Sequence, residues 1–203
     1  AAAAQQPLPF ESQLSYNMSI TSNVASVTRI QSAERGEKEE DIMYEHLGQV
    51  MARGAEKYGD RVALVFHEEE FTYRRLDDLS ARMANALASL GIGSGERVTL
   101  YSQNCWEWIV SYYAVLRLGA IVNPINVMLT PDEVVYVTQD CGAKALLASL
   151  DKGAPIIDRR SETPLDHIVL FGDEIPDGAT SFDELIAHAG PDFEDIDIDP
   201  SSI

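Results

Sequence analysis

The sequence is short of positive charge, cysteine and long apolar runs, and each shortage removes a class of protein. Fifteen Lys and Arg stand against 33 Asp and Glu in 203 residues, a formal charge of -18. Residues 151–203 hold 14 acidic side chains against three basic ones. Such a surface repels phosphate backbones and offers no basic patch to anionic lipid, so nucleic acid and charged membrane surfaces are excluded as partners. The plain reading of the charge is a solvated acidic exterior. Only two cysteines occur, Cys105 and Cys141, 36 residues apart and in no CxxC or metal-ligand spacing. Neither a disulfide framework nor a zinc site has support. His46, His67, His167 and His188 are scattered with no HxxxH spacing and read as surface or packing residues. No apolar run approaches the ~18 residues of a membrane span. Cys105 lies in an apolar stretch, which suits a reducing compartment and an expected cytoplasmic location.

The start of the chain also lacks something. Residues 1–17, AAAAQQPLPFESQLSYN, have no initiating Met, no basic segment and no apolar core, so they do not read as a secretory signal. They are expected to derive from a vector, with Met18 as the native start. N-terminal sequencing of the natural protein would refute this by finding Ala1–Asn17. Residues 18–43 are polar and run through ERGEKEED, so 1–43 together read as a poorly ordered lead-in.

From Tyr44 the pattern tightens. Leu47, Val50, Met51, Ala55 and Tyr58 recur at helical spacing, with Gly59 as a stop. RVALVF and EFTY then predict a β-hairpin about a charged HEEE turn. Leu76, Leu79, Met83, Ala86, Leu87 and Leu90 form one helical stripe that Gly91 terminates. RVTLYS is a strand. CWEWIVSYYAVLRLG is a helix, apolar nearly all round and so expected to be deeply buried. AIVNPI is a strand ended by Pro124. Thr130, Pro131 and Glu133 spell a capping box for the next helix. AKALLAS and HIVLFG are strands, GAPIIDRR a short helix, and SFDELIAHAG a helix capped by Ser181 with Glu184 at N3. Residues 191–203 read as an acidic exit loop. Strands alternate with helices and are continuous aliphatic runs. Residues 44–190 are therefore expected to form an α/β subdomain, a mostly parallel sheet flanked by helices on both faces, with a small β-hairpin near the start. Its crossovers should be right-handed.

Ligands in such folds gather beyond the carboxyl ends of the strands. GIGSG, Gly91 to Gly95, precedes a strand and matches neither GxGxxG nor a Walker loop, so it stands at the wrong end. Asn104 is at the right end but is expected to cap its helix. Asn123 and Asn126 flank Pro124 and are expected to serve the turn. Trp106, Trp108, Tyr112 and Tyr113 suggest an aromatic pocket, yet their spacing spreads them over different helix faces and into core or interface. DFEDIDID lacks the Gly and final Glu of a calcium loop. No nucleophile–base pair or metal constellation emerges, so no catalytic, cofactor-binding or metal residue is assigned.

One stretch resembles a known family. Thr72-Tyr73, Leu76, Leu87, Gly91, Gly95-Glu96-Arg97-Val98, Asn104, Gly119-Ala120, Pro124, Glu133 and Ala143-Lys144 follow one another over some 90 residues. Their order and spacing resemble the N-terminal region of adenylate-forming enzymes: acyl-CoA synthetases, luciferases and peptide-synthetase adenylation domains. VNPINVMLTPDEV is similar to the fatty-acid and aryl-acid CoA ligases rather than to the peptide-synthetase branch. The resemblance implies ATP, Mg²⁺ and CoA as cofactors of a full-length parent and a carboxylic acid as its substrate.

The family pattern continues into a Thr/Ser/Gly-rich phosphate loop, written TSGTTGxPKG, and later into an aromatic-Gly-x-Thr-Glu motif, a ribose-binding Asp and a C-terminal Lys. None of these lies within residues 1–203. The resemblance therefore implies an N-terminal fragment, inactive alone, whose partner is the remainder of the parent enzyme and which self-associates through uncovered apolar surface or an open sheet edge. Two alternatives stay open: a short non-catalytic relative acting as a binding module, and an unrelated doubly wound nucleotide binder.

Overall fold

The computed structural model describes residues 46–194 and 196. The lead-in expected over 1–43, and residues 195 and 197–203 of the exit loop, lie outside the described residues.

The first described turn departs from the expected stripe. Leu47–Gln49 form a 3-10 turn, in which His46 Nδ1 accepts a hydrogen bond from the Gly48 N–H at 3.2 Å. The tighter winding shifts the helical phase, and Leu47 is left 59% exposed. Helix α1, Val50–Tyr58, then runs to Gly59 as expected. Strands β1, Val62–Phe66, and β2, Glu69–Thr72, pair antiparallel as the predicted hairpin.

Helix α2, Tyr73–Ser89, starts where the Thr72 hydroxyl accepts from the Arg75 N–H. It ends in a Schellman motif. Ile92 N–H donates to the Leu87 carbonyl and Gly91 N–H to the Ala88 carbonyl, with Gly91 at φ 80°. That left-handed conformation is the reason for glycine there.

Five strands and four helices follow: β3, Arg97–Tyr101; α3, Trp106–Arg117; β4, Ile121–Pro124; α4, Pro131–Cys141; β5, Ala145–Ser149; α5, Leu150–Ile157; β6, His167–Phe171; β7, Thr180–Ser181; and α6, Phe182–His188. The five strands form a wholly parallel sheet in the order β4-β3-β5-β6-β7. The chain lays down β3, steps to one side for β4, then crosses back to β5. This is the order of a doubly wound fold with its switch point between β3 and β5.

Alternate residues of each strand feed two cores. Val98, Leu100, Ala145, Leu147, Val169 and Phe171 pack beneath α2, α3 and α6. Tyr101, Leu146, Ala148, Ile168 and Leu170 pack against Val134 of α4 and Ile156 of α5. Both faces are covered, so the strands read as unbroken apolar runs.

An aromatic cluster ties distant elements together. Trp106 stacks on Phe71 of the hairpin with centroids 5.3 Å apart and meets Phe182 edge-on at 5.7 Å, while Phe182 meets Phe171 at 5.0 Å. Such pairs add roughly 0.5–1.5 kcal/mol each beyond burial. Helix α3 is also fixed to α2 by Arg117, 4% exposed, which pairs with the Asp77 carboxylate. Helix α3 was expected to be deeply buried; no residue of it is exposed, but only Val110, Ser111, Ala114, Val115 and Arg117 are buried and the rest are half-buried. The capping box of α4 is complete, with Thr130 Oγ1 accepting from the Glu133 N–H and Glu133 Oε2 accepting from the Thr130 N–H.

Candidate functional site

The two ends of the sheet carry different chemistry. At the amino end, Lys144 donates to the Gly91 carbonyl at 2.8 Å and pairs with Glu96 at 3.3 Å. Arg97 reaches the Gly142 and Gly95 carbonyls. The glycine-rich turn Gly91–Gly95 is thereby bound to the start of β5. It is a structural splice, on the side of the sheet away from the switch-point crevice, as its position before a strand implied.

At the carboxyl end, β3 and β5 finish side by side, with Tyr101 opposite Ala148. Extending that register sets Ser102 beside Ser149, where the order of the strands reverses. Ser102 Oγ donates to the Gln103 carbonyl and lies 3.6 Å from Cys105 Sγ. Burial pushes the Cys105 thiol up to about 11, with Glu107 adding to the rise. That thiol is therefore a poor nucleophile near neutral pH. Glu107 Oε2 and Ser149 Oγ are buried and lack a hydrogen-bond partner among the described residues. Helices α3 and α5 both begin here, and neither Cys105 nor Ser149 caps its helix with a side-chain hydrogen bond.

The sequence-derived candidates distribute unevenly around this edge. Asn104 was expected to cap α3. It does not: the N-cap position falls on Cys105, no side chain caps the helix, and Asn104 is exposed. Asn123 was expected to serve a turn. It lies instead within β4, opposite Thr99 of β3, where its amide donates to Thr99 Oγ1 and Cys141 Sγ, both at 3.3 Å. That links β3, β4 and α4 inside the fold. Asn126 does serve a turn, its Oδ1 accepting from the Met128 N–H at 2.9 Å.

Trp106 is half-buried and packs against the core. Trp108 and Tyr112 were expected on different faces, but they stand one turn apart and stack at 5.2 Å, with Tyr113 edge-on to Tyr112 at 5.4 Å. All three are half-buried. Sequence reading did not single out Ser102, Glu107 or Ser149. Their only signal was position, directly after a strand or in the first turn of the following helix.

Beyond β6 the chain forms an open concavity lined by Asp173, Glu174, Asp177, Asp183 and Glu184 among others. Its acidity opposes an anionic phosphate. Among the described residues no group of three or more His, Cys, Asp or Glu is placed to hold a metal ion. No helix among the described residues is long and apolar enough to cross a membrane.

Comparison with known proteins bears on this architecture as a whole. The AMP-binding enzyme family matches residues 51–200. The crotonobetaine/carnitine–CoA ligase of Salmonella paratyphi A is 36% identical over 143 residues, covering 66% of this chain and 28% of that enzyme. The crystal structure of the anthranilate CoA ligase AuaEII in complex with anthranoyl-AMP superposes with a TM-score of 0.72 at 30% identity, covering 79% of this chain and 31% of that one. The Mycobacterium tuberculosis fatty acyl CoA synthetase superposes with a TM-score of 0.61 at 26% identity, over 73% of this chain and 29% of that one. The chain thus spans under a third of the length of these relatives. With residues 51–200 matched and the doubly wound sheet shared, the chain belongs to the AMP-binding enzyme family, is similar to its acyl-CoA ligases, and corresponds to an N-terminal part of that architecture.

Proposed function

We propose that this chain is the scaffold portion of an ATP-dependent carboxylic acid–CoA ligase. The observation that carries the reading is the match of residues 51–200 to the family together with 36% identity to a CoA ligase. In the reaction proposed, a carboxylate oxygen attacks the α-phosphorus of ATP, giving an acyl-adenylate and pyrophosphate. The CoA thiolate then attacks the acyl carbon, the bond to AMP breaks, and a thioester forms.

The residues described here contribute framework to that chemistry. They supply no cluster fit for Mg²⁺, and residues 1–203 contain no Thr/Ser/Gly-rich phosphate loop. Such a loop works by presenting backbone N–H groups and hydroxyls to a triphosphate. These 203 residues alone are therefore proposed to be catalytically silent, and the remainder of a ligase is the proposed partner. Free Cys105 and Cys141 favour a reducing, cytoplasmic setting.

Self-association is the second part of the proposal. Strand β4 is a sheet edge, and Ile121 within it and Met128 after it are 38% and 79% exposed. The N–H groups of Ile121 and Ile125 donate to β3, so Val122 and Pro124 face outward. Pro124 has no N–H to offer an added strand, which makes the contact weak rather than sheet-forming. Light scattering at high concentration should show concentration-dependent association. A monodisperse monomer would count against it.

The ligase reading is tested with a chimera in which residues 46–194 replace the matching region of the crotonobetaine/carnitine–CoA ligase. Carboxylate- and ATP-dependent thioester formation is expected. A folded chimera without it would overturn the reading.

A further inference from the structure

Helix α6 stops at His188, and the chain then runs on outside any helix or strand. Its carbonyl groups find partners on α2, about a hundred residues earlier. Arg82 Nη1 donates to the Ala189 carbonyl at 2.8 Å, while its Nε holds Asp78 at 2.9 Å. The single amide nitrogen of Asn85 donates to two carbonyls, Gly190 at 2.9 Å and Asp192 at 2.8 Å. Phe193 lies over the Arg117 guanidinium, 5.9 Å from ring centre to carbon, and Phe193 and Ile196 pack on the core beneath α2 and α3.

We propose that Asn85, with Arg82 and Arg117, is a positioning anchor that holds residues 189–193 as a detachable strap across α2, fixing the path by which the chain leaves the fold. Three features support a device rather than incidental packing. The captured atoms are main-chain oxygens, so the anchor sets the path of the segment independently of its side chains. Both donors stand on one face of α2, three residues apart, and meet carbonyls of a segment outside any helix or strand. The strap also covers a buried cation whose Nε lacks a partner among the described residues. Opening would let that donor reach water, so release is easier than for a strap lying on apolar groups alone. The strap goes beyond the ligase reading and does not depend on it.

The test uses the 203-residue chain and chymotrypsin. Phe193 lies in the strap, whereas Phe71 and Phe182 are buried in the core, 0% and 1% exposed. Cleavage after Phe193 reports strap opening, and cleavage after the other two reports unfolding of the core. Asn85→Asp keeps the side-chain shape but cannot donate, and it sets a negative charge against two carbonyl oxygens. Each lost hydrogen bond shifts the opening equilibrium by about fivefold, so loss of both should raise cleavage after Phe193 about 25-fold. Arg82→Met should raise it by a smaller factor. Cleavage after Phe71 and Phe182 should keep its wild-type rate in both variants. Unchanged cleavage after Phe193 in both variants, or an equal rise at all three sites, would overturn the proposal. Neither readout involves ATP, so its failure is separable from failure of the ligase reading.

Discussion

Gly153 in α5 lies where an added Cβ would collide with the sheet. A Cβ built there would sit 2.2 Å from Leu170 Cδ2 and 2.9 Å from Ala148 Cβ. Leu170 and Ala148 are both 0% exposed, so neither has free space to yield into. The leucine methyl can turn, but the alanine Cβ is fixed to β5. Its contact is relieved only if α5 lifts from the sheet. Overpacking of this kind costs about 1–3 kcal/mol, and two simultaneous clashes place Gly153→Ala in the upper half of that range. Against it stands a gain of about 1 kcal/mol in helix propensity. Net destabilisation of about 1–2 kcal/mol is expected, or about 2–8 °C in Tm for a chain of this size. Urea unfolding followed by far-UV circular dichroism measures it as a lowered midpoint at constant slope. Gly93→Ala is the control, because nothing lies within 4 Å of its Cβ position. A Gly153→Ala chain as stable as wild type, or more stable, would show that α5 does not lie this close to β5 and β6.

Other perturbations address the cap, the buried thiol and the chemistry. Thr130→Ala removes the acceptor for the Glu133 N–H and should cost about 1 kcal/mol by the same urea measurement. Backbone and side-chain hydrogen bonds from Thr130 hold the Glu133 carboxyl below its ordinary 4.5, so that stabilisation should fade as pH falls through this range. Cys105 should react slowly with a thiol reagent at pH 7.5 in the native state and rapidly in urea. Its thiol ionises near 9.0 when unfolded and about 11 when folded. Stability from this group is therefore complete below pH 9 and is lost as pH rises toward 11, a loss that Cys105→Ala should lack. Carboxylate-dependent ATP–pyrophosphate exchange should be absent from the 203-residue chain, and clear exchange would refute the scaffold assignment.

What the sequence revealed depended on how local the governing chemistry was. The α2 stripe, the Gly91 terminus and the Thr130 capping box each rest on short-range spacings, no hydrogen bond of the two termini spanning more than five residues, and all three stand in the structure. The parallel sheet was legible because its strands are buried on both faces. Asn104 failed as a cap because the helix begins one residue later than expected, with Cys105 at the N-cap and Trp106, its first residue, packed against Phe71 and Phe182, partners far away in sequence. Asn123 failed as a turn residue because its partners, Thr99 and Cys141, lie on other elements. Trp108 and Tyr112 should have been paired from sequence, since residues four apart share a helix face. The strand order, and with it the switch point that brings Ser102 beside Ser149, is set by long-range pairing and leaves no local trace. The candidate site was correspondingly less legible than the fold.

Residues 46–194 are proposed to be a working part of an AMP-forming ligase. Product analysis of the chimera with crotonobetaine/carnitine–CoA ligase tests it most directly. ATP should be converted to AMP and pyrophosphate in step with thioester formation, one AMP for each thioester. A folded chimera that yields ADP and phosphate, or that consumes no ATP when carboxylate and CoA are present, would contradict the account.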